Sequence, residues 1–158
     1  MRVAILALAC ASALFGQTEA KLIISGDIPA SLTVTTADLA GYPRETIELA
    51  EQDGAKFKYE GVLLQDVLKK AGIPMGSIRG KNLAAYVLAS AKDGYQVVFS
   101  LGELDPTFGN EKVLIIDKRD GKPLFDYQGP LRLVVAGDKA GARDVRMLEK
   151  IEVVRLRK

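Results

Sequence analysis

The residues with the most chemistry in this chain are cations, and they crowd one stretch: Arg132, Lys139, Arg143 and Arg146 all fall between Gly129 and Leu156. Within it, the loop Gly137-Asp138-Lys139-Ala140-Gly141-Ala142-Arg143 sets two glycines and two cations in seven positions, where backbone N–H groups can turn toward an anion. A guanidinium donates two parallel hydrogen bonds in one plane, which suits a phosphate, a carboxylate or a planar heteroaromatic acceptor. Tyr95, just after the turn signal Asp93-Gly94, is a further candidate for the rim of such a site. The competing assignment is structural: Arg132 and Arg143 would each be paired with an acid such as Asp93 or Asp117, and Tyr95 would be an ordinary core or rim aromatic.

What the chain lacks narrows the chemistry. There is no histidine, and Cys10 is the only cysteine. Ser-His and Cys-His catalysis, zinc sites of the usual N/S type and histidine-ligated haem or copper are excluded. A carboxylate-only metal site stays open, although no calcium-loop spacing is present. The net charge of +2 makes no case for nucleic acid. Its distribution is uneven, because Gly129 to Lys158 holds eight basic against four acidic residues. Arg155, Arg157 and Lys158 read as the solvated charges of an edge strand and tail.

At the other end, Arg2 precedes an apolar run, Val3 to Phe15, that is too short to span a bilayer and is followed by Thr18-Glu19-Ala20. Residues 1–20 therefore read as a secretory signal peptide. Residues 21–158 read as one secreted or periplasmic domain with no transmembrane segment.

The elements that must position the cations are mostly strands. Lys21 to Ser25, Ser31 to Thr35, Thr46 to Leu49, Lys56 to Tyr59, Leu83 to Ala89, Tyr95 to Phe99, Val113 to Ile116, Leu131 to Val135 and Ile151 to Leu156 carry strand patterns, with Asp53-Gly54 and Asp120-Gly121 as turns. Thr36 caps a short helix, Ser100 caps another, and a turn of helix is expected through Val145 and Leu148. The clearest helix runs from Val62 to Ala71, with Leu63, Leu64, Val67, Leu68 and Ala71 on one face and Gly72 and Pro74 ending it. The class is α+β, mixed and mostly β.

The string Gly129-Pro130-Leu131-Arg132-Leu133-Val134-Val135, followed by Gly137-Asp138-Lys139 and Gly141-Ala142-Arg143, resembles the C-terminal signature of the molybdopterin-binding domain of sulfite-oxidase-like oxidoreductases. Tyr59 to Leu64, Asp66-Val67-Leu68, Ala71-Gly72, Asp93-Gly94-Tyr95 and Asp120 to Leu124 agree in order, so the resemblance runs from Phe57 to Leu156. It implies a sulfite-oxidase-type fold. It also implies that Arg132, Lys139 and Arg143 match the family's cofactor-contacting cations, with Arg146 substituting for another.

In that family a pyranopterin dithiolene and one cysteine thiolate hold molybdenum, and the cysteine lies upstream of the Gly-Val-x-Leu segment, here Gly61 to Leu64. The corresponding region, Arg44 to Lys58, has no cysteine, and neither Glu48 nor Glu51 is a soft ligand. Met147 stands where the family has tryptophan, and the signal carries Arg2 alone rather than twin arginines. These departures disfavour a bound molybdopterin. One function that remains is a non-catalytic exported module for a small anionic or pterin-like ligand, or for a redox or envelope protein partner. The other is a reduced oxidoreductase that binds the cofactor without a protein thiolate.

Overall fold

β7 (Val113–Arg119) is the hinge of the architecture, because its apolar run faces two cores. Val113 and Ile115 enter the main apolar cluster, while Leu114 and Ile116 enter a second one on the opposite face of the same sheet. A strand buried on both faces reads as a continuous apolar run rather than an alternation, as Val-Leu-Ile-Ile does here. The computed structural model describes residues 19–51 and 53–157. The signal-peptide reading falls almost entirely on residues outside these, and no described helix is long and apolar enough to cross a membrane.

In chain order the elements are β1 (Lys21–Gly26), β2 (Leu32–Thr35), α1 (Thr36–Leu39), β3 (Arg44–Ala50), β4 (Lys56–Leu63), α2 (Leu64–Lys70), β5 (Ala85–Ala91), β6 (Gln96–Ser100), α3 (Leu101–Leu104), β7, β8 (Lys122–Pro123), β9 (Arg132–Val135) and β10 (Leu148–Arg155). One sheet has the order β2-β1-β10-β5-β6, with β1 parallel to β10 and the other pairs antiparallel. The second runs β3-β4-β7, and β8 and β9 pair with the two ends of β7 on its other side. The α+β class and its β-rich character hold.

Three local expectations need correction. The helix starts at Leu64, not Val62, because β4 continues through Leu63, whose side chain packs on the second cluster instead of the helical face. Thr35, one residue before the expected cap, closes a capping box with Asp38 at the start of α1. Val145 is not helical: it exchanges hydrogen bonds with Leu133 at 2.8 and 2.9 Å, after a 3-10 turn at Gly141–Arg143. This bridge carries the chain from the glycine loop back onto β9.

A fourth correction concerns the end of the chain. β10 is the central strand of the first sheet rather than an edge. Its alternation of Ile151 and Val153 with Glu152 and Lys150 marks a strand with one wet face, and a central strand of a mostly antiparallel sheet can have one. Arg157 is exposed as expected, yet it pairs with Asp27 at 2.8 Å.

Close approach of two backbones explains Gly61. At the irregularity where β4 meets β7, a Cβ there would lie 2.2 Å from the Ile115 carbonyl oxygen, so only glycine lets the register shift.

Asp105 ties the loop after α3 to the loop after α2. Fully buried, it accepts hydrogen bonds from the amides of Gly76 at 2.6 Å and Thr107 at 2.8 Å, and from the Thr107 hydroxyl. Burial pushes its carboxyl up, but the Thr107 and Gly76 donors outweigh burial and hold it below the usual aspartate value. A depressed folded pKa contributes stability above the unfolded value of about 3.9, and that stability is lost as pH falls through the folded value. Asp105→Asn should therefore cost about 1–3 kcal/mol at neutral pH in urea unfolding, with the difference narrowing below about pH 4.

Candidate functional site

The second apolar cluster, on the face of the second sheet away from the main core, leads directly to the site. Leu49 at the end of β3 and Val134 on β9 belong to this cluster and also line a cleft of about 640 Å³. One wall is Glu48 to Glu51, where β3 enters the Asp53-Gly54 hairpin; the facing wall is the loop Asp138 to Ala142. Asp93, Tyr95, Arg132, Asp144 and Arg146 complete the polar lining. The volume lies within the range of small-molecule sites, about 300–1,000 Å³.

Alternation along β9 puts Leu133 and Val135 into the main core and Arg132 on the cleft side. Arg132 is only 5 % exposed. Its Nη2 donates to Asp144 at 2.7 Å, and its Nη1 donates to Glu51 at 3.1 Å and to Gln128 at 2.8 Å. Its guanidinium also lies 5.3 Å from the centre of the Tyr59 ring, and the Tyr59 hydroxyl donates a short hydrogen bond to Glu51. Burial raises the Glu51 carboxyl, but Tyr59, Arg132 and the nearby charge of Arg146 outweigh it and hold Glu51 below the ordinary glutamate value. Burial likewise raises the Tyr59 phenol, and its bond to Glu51 adds to that. Only Nε of Arg132 has no partner.

Arg143 turns out of the cleft. Its Nε and Nη2 clasp Asp138 at 2.8 and 2.6 Å, its Nη1 and Nη2 clasp Glu111 at 3.1 and 2.6 Å, and Nη1 reaches Glu103 at 3.3 Å. The guanidinium sits 5.4 Å from the Phe99 ring centre. This clasp ties the glycine loop to α3 and to the segment before β7. Hydrogen bonds from Arg143 hold the Asp138 carboxyl below its usual range, and those carboxylates push the Arg143 pKa up.

Of the five candidate residues, Arg132, Lys139, Arg146 and Tyr95 therefore meet in one cleft and Arg143 does not. The structural assignment of Arg132 and Arg143 has the right interaction and the wrong partners. Asp117 instead binds Arg44 through both carboxylate oxygens at 3.0 and 2.5 Å, and Asp93 caps the Tyr95 amide at 3.0 Å. The Tyr95 hydroxyl donates to the Ala142 carbonyl, pinning the loop. Arg146 stacks on Tyr127, 5.2 Å from its centre. Glu51, Asp144 and Gln128, which hold Arg132, carry no local motif that would have marked them.

The pyranopterin dithiolene and molybdenum implied by the family resemblance would bring several negative charges and require a soft ligand. The cleft supplies five carboxylates, from Glu48, Glu51, Asp93, Asp138 and Asp144, against the three cations Arg132, Lys139 and Arg146. Both terminal nitrogens of Arg132 are already committed to carboxylates. Among the described residues no three His, Cys, Asp or Glu side chains gather as a metal site. This donor set does not fit the metal-bearing cofactor. It does fit a neutral ligand: an apolar floor at Leu49 and Val134, donors on Lys139 and Arg146, and acceptors on the walls.

No curated protein matches this chain significantly. Among solved structures, the crystal structure of the sulfane dehydrogenase SoxCD from Paracoccus pantotrophus is similar over 88% of this chain, with a TM-score of 0.65 and 18% sequence identity. At that identity the likeness speaks for the fold, and this chain spans only 39% of the SoxCD chain. The sequence model described as "Oxidoreductase molybdopterin binding domain" matches residues 13–158. With the sulfite-oxidase-type fold and the signature around Arg132 in place, the chain belongs to the oxidoreductase molybdopterin-binding-domain family.

Proposed function

We propose that this protein is an exported, non-catalytic member of its family, in which the ancestral cofactor cleft has become a binding site for a small, largely neutral heteroaromatic ligand or a partner's polar segment. One observation carries this reading: the chain's own carboxylates occupy both signature arginines, Arg132 through Glu51 and Asp144, and Arg143 through Asp138, Glu111 and Glu103. An anion seeking Arg132 would have to displace a buried carboxylate, which costs several kcal/mol. A neutral ring with donors and acceptors on its edge displaces nothing. The apolar run Val3 to Phe15 and the small residues at Thr18-Glu19-Ala20 support export, which cell fractionation tests directly.

The chain has no tryptophan, so pterin fluorescence can be followed without overlap. In a titration, 6-hydroxymethylpterin should bind with a dissociation constant of about 10–100 μM, and its phosphate ester should bind no more tightly. A phosphate ester bound at least about tenfold more tightly would favour the alternative, a reduced oxidoreductase that still receives the anionic cofactor. Failure of both to bind at about 1 mM would remove the pterin-like ligand from the proposal.

A further inference from the structure

A second hollow of about 330 Å³ opens beside the cleft and shares Glu51 and Arg146 with it. Phe57, Arg119 and Tyr127 also line it. Arg119 is sandwiched, its guanidinium 4.4 Å from the centre of the Phe57 ring and 4.9 Å from that of Phe125. Arg146 lies on Tyr127 in the same way. Phe125 and Tyr127 are large aromatics left 51% and 58% exposed, on the chain just before β9.

These two arginines differ in their neighbourhood from those that answer an acid. Arg44, Arg132, Arg143 and Arg157 each meet a carboxylate within salt-bridge distance, whereas among the described residues Arg119 and Arg146 meet none at that distance and lie against rings, with the Tyr59 hydroxyl as a polar neighbour of Arg119. A ring covers the flat face of a guanidinium and leaves the N–H donors, which lie in its plane, pointing outward. Stacking also fixes the side chain beforehand, so less conformational freedom is lost when an anion arrives. The acids in the hollow are engaged: Glu51 by Arg132 and Tyr59, and Asp53 by the Ala55 amide at 3.0 Å.

We infer that this hollow is a binding subsite for a planar aryl or heteroaryl carboxylate, with the carboxylate taken by the in-plane donors of Arg119 and Arg146 and the ring set against Tyr127 in the hollow and the exposed Phe125 that stacks on Arg119 beside it. Charge alone or ring alone would use half of the site. The subsite shares Arg146 with the cleft but can be tested separately from it, since Arg119 lines only the hollow and Lys139 only the cleft.

The test is a titration of the folded protein with sodium benzoate, read by backbone amide NMR shifts, with benzyl alcohol and inorganic phosphate as probes of ring and charge alone. Benzoate should saturate with a dissociation constant of about 1 mM, with shifts centred on Arg119, Phe125, Tyr127 and Arg146, and should bind at least about fivefold more tightly than either control. Arg119→Gln should weaken benzoate about tenfold and Phe125→Leu about threefold, while Lys139→Gln stays within about twofold of the parent. Matching thermal unfolding midpoints would show that the variants remain folded. The inference is overturned by equal affinity for benzyl alcohol and benzoate, by Lys139→Gln weakening benzoate as much as Arg119→Gln does, or by the absence of a saturable response.

Discussion

Arg132→Leu is expected to lower stability by about 3–5 kcal/mol, the largest effect of any single substitution in the cleft. The loss comes less from the arginine itself than from what it leaves behind. Glu51 and Asp144 are 18% and 12% exposed, and without Arg132 both carry charge with little water to solvate it. Gln128 also loses the donor on its side-chain oxygen. Two controls separate this from simple loss of packing.

The first is the triple variant Arg132→Leu, Glu51→Gln, Asp144→Asn, which removes all three charges together. It should recover part of the loss, because the stranded carboxylates cause most of the damage. The second is pH. The folded pKa of Glu51 is depressed, so its contribution is present above the unfolded value of about 4.3 and is lost as pH falls through the folded value. The difference between parent and Arg132→Leu should therefore narrow below about pH 4 in urea unfolding. A loss under about 1 kcal/mol at neutral pH would mean that Glu51 and Asp144 are well solvated and that Arg132 is free to meet a ligand.

Arg143→Ala is expected to cost about 2 kcal/mol and to leave pterin binding unchanged. A ligand-binding arginine would behave in the opposite way. The figure lies below that for Arg132 because the Arg143 side chain is 34% exposed, so water screens part of the interaction. What remains is geometric: one guanidinium clasps Asp138 and Glu111 through two bonds each and holds Glu103 nearby. Removing it leaves three carboxylates facing one another. Arg143→Lys should restore little, since an ammonium cannot reproduce two bidentate contacts. Asp138 is depressed by the same contact, so acid should close the gap between parent and variant below about pH 4, as it does for Arg132. A melting curve and a pterin titration on the same preparation decide between the structural and the ligand-binding role.

The contrast between these two arginines shows what the sequence could and could not reveal. Local signals were legible. Asp53-Gly54 closes the β3–β4 hairpin, with the Glu51 amide donating to the Ala55 carbonyl at 2.8 Å, and Ser100 caps α3 as its spacing from Glu103 suggests. The family signature located the cleft, because β9 and the glycine loop after it must lie together.

The partners of the cations were not legible. Glu51 meets Arg132 across 81 positions, and Asp144 meets Arg132 rather than its neighbour Arg143 only because the Leu133–Val145 bridge folds the loop back. A run of cations therefore looked like an anion site when several of its charges were already answered. The central place of β10 was hidden for a related reason. Alternation shows that a strand has one wet face but not how many neighbours it has.

Protein purified from its own compartment, without added cofactor, should be assayed for molybdenum by mass spectrometry and for pterin released on denaturation. If the carboxylates of Glu51 and Asp144 hold Arg132 in place of a cofactor, molybdenum stays at background and no metal-bearing pterin dithiolene is recovered. About one molybdenum atom per chain, with an equal amount of pterin, would contradict that claim and return the cleft to redox chemistry.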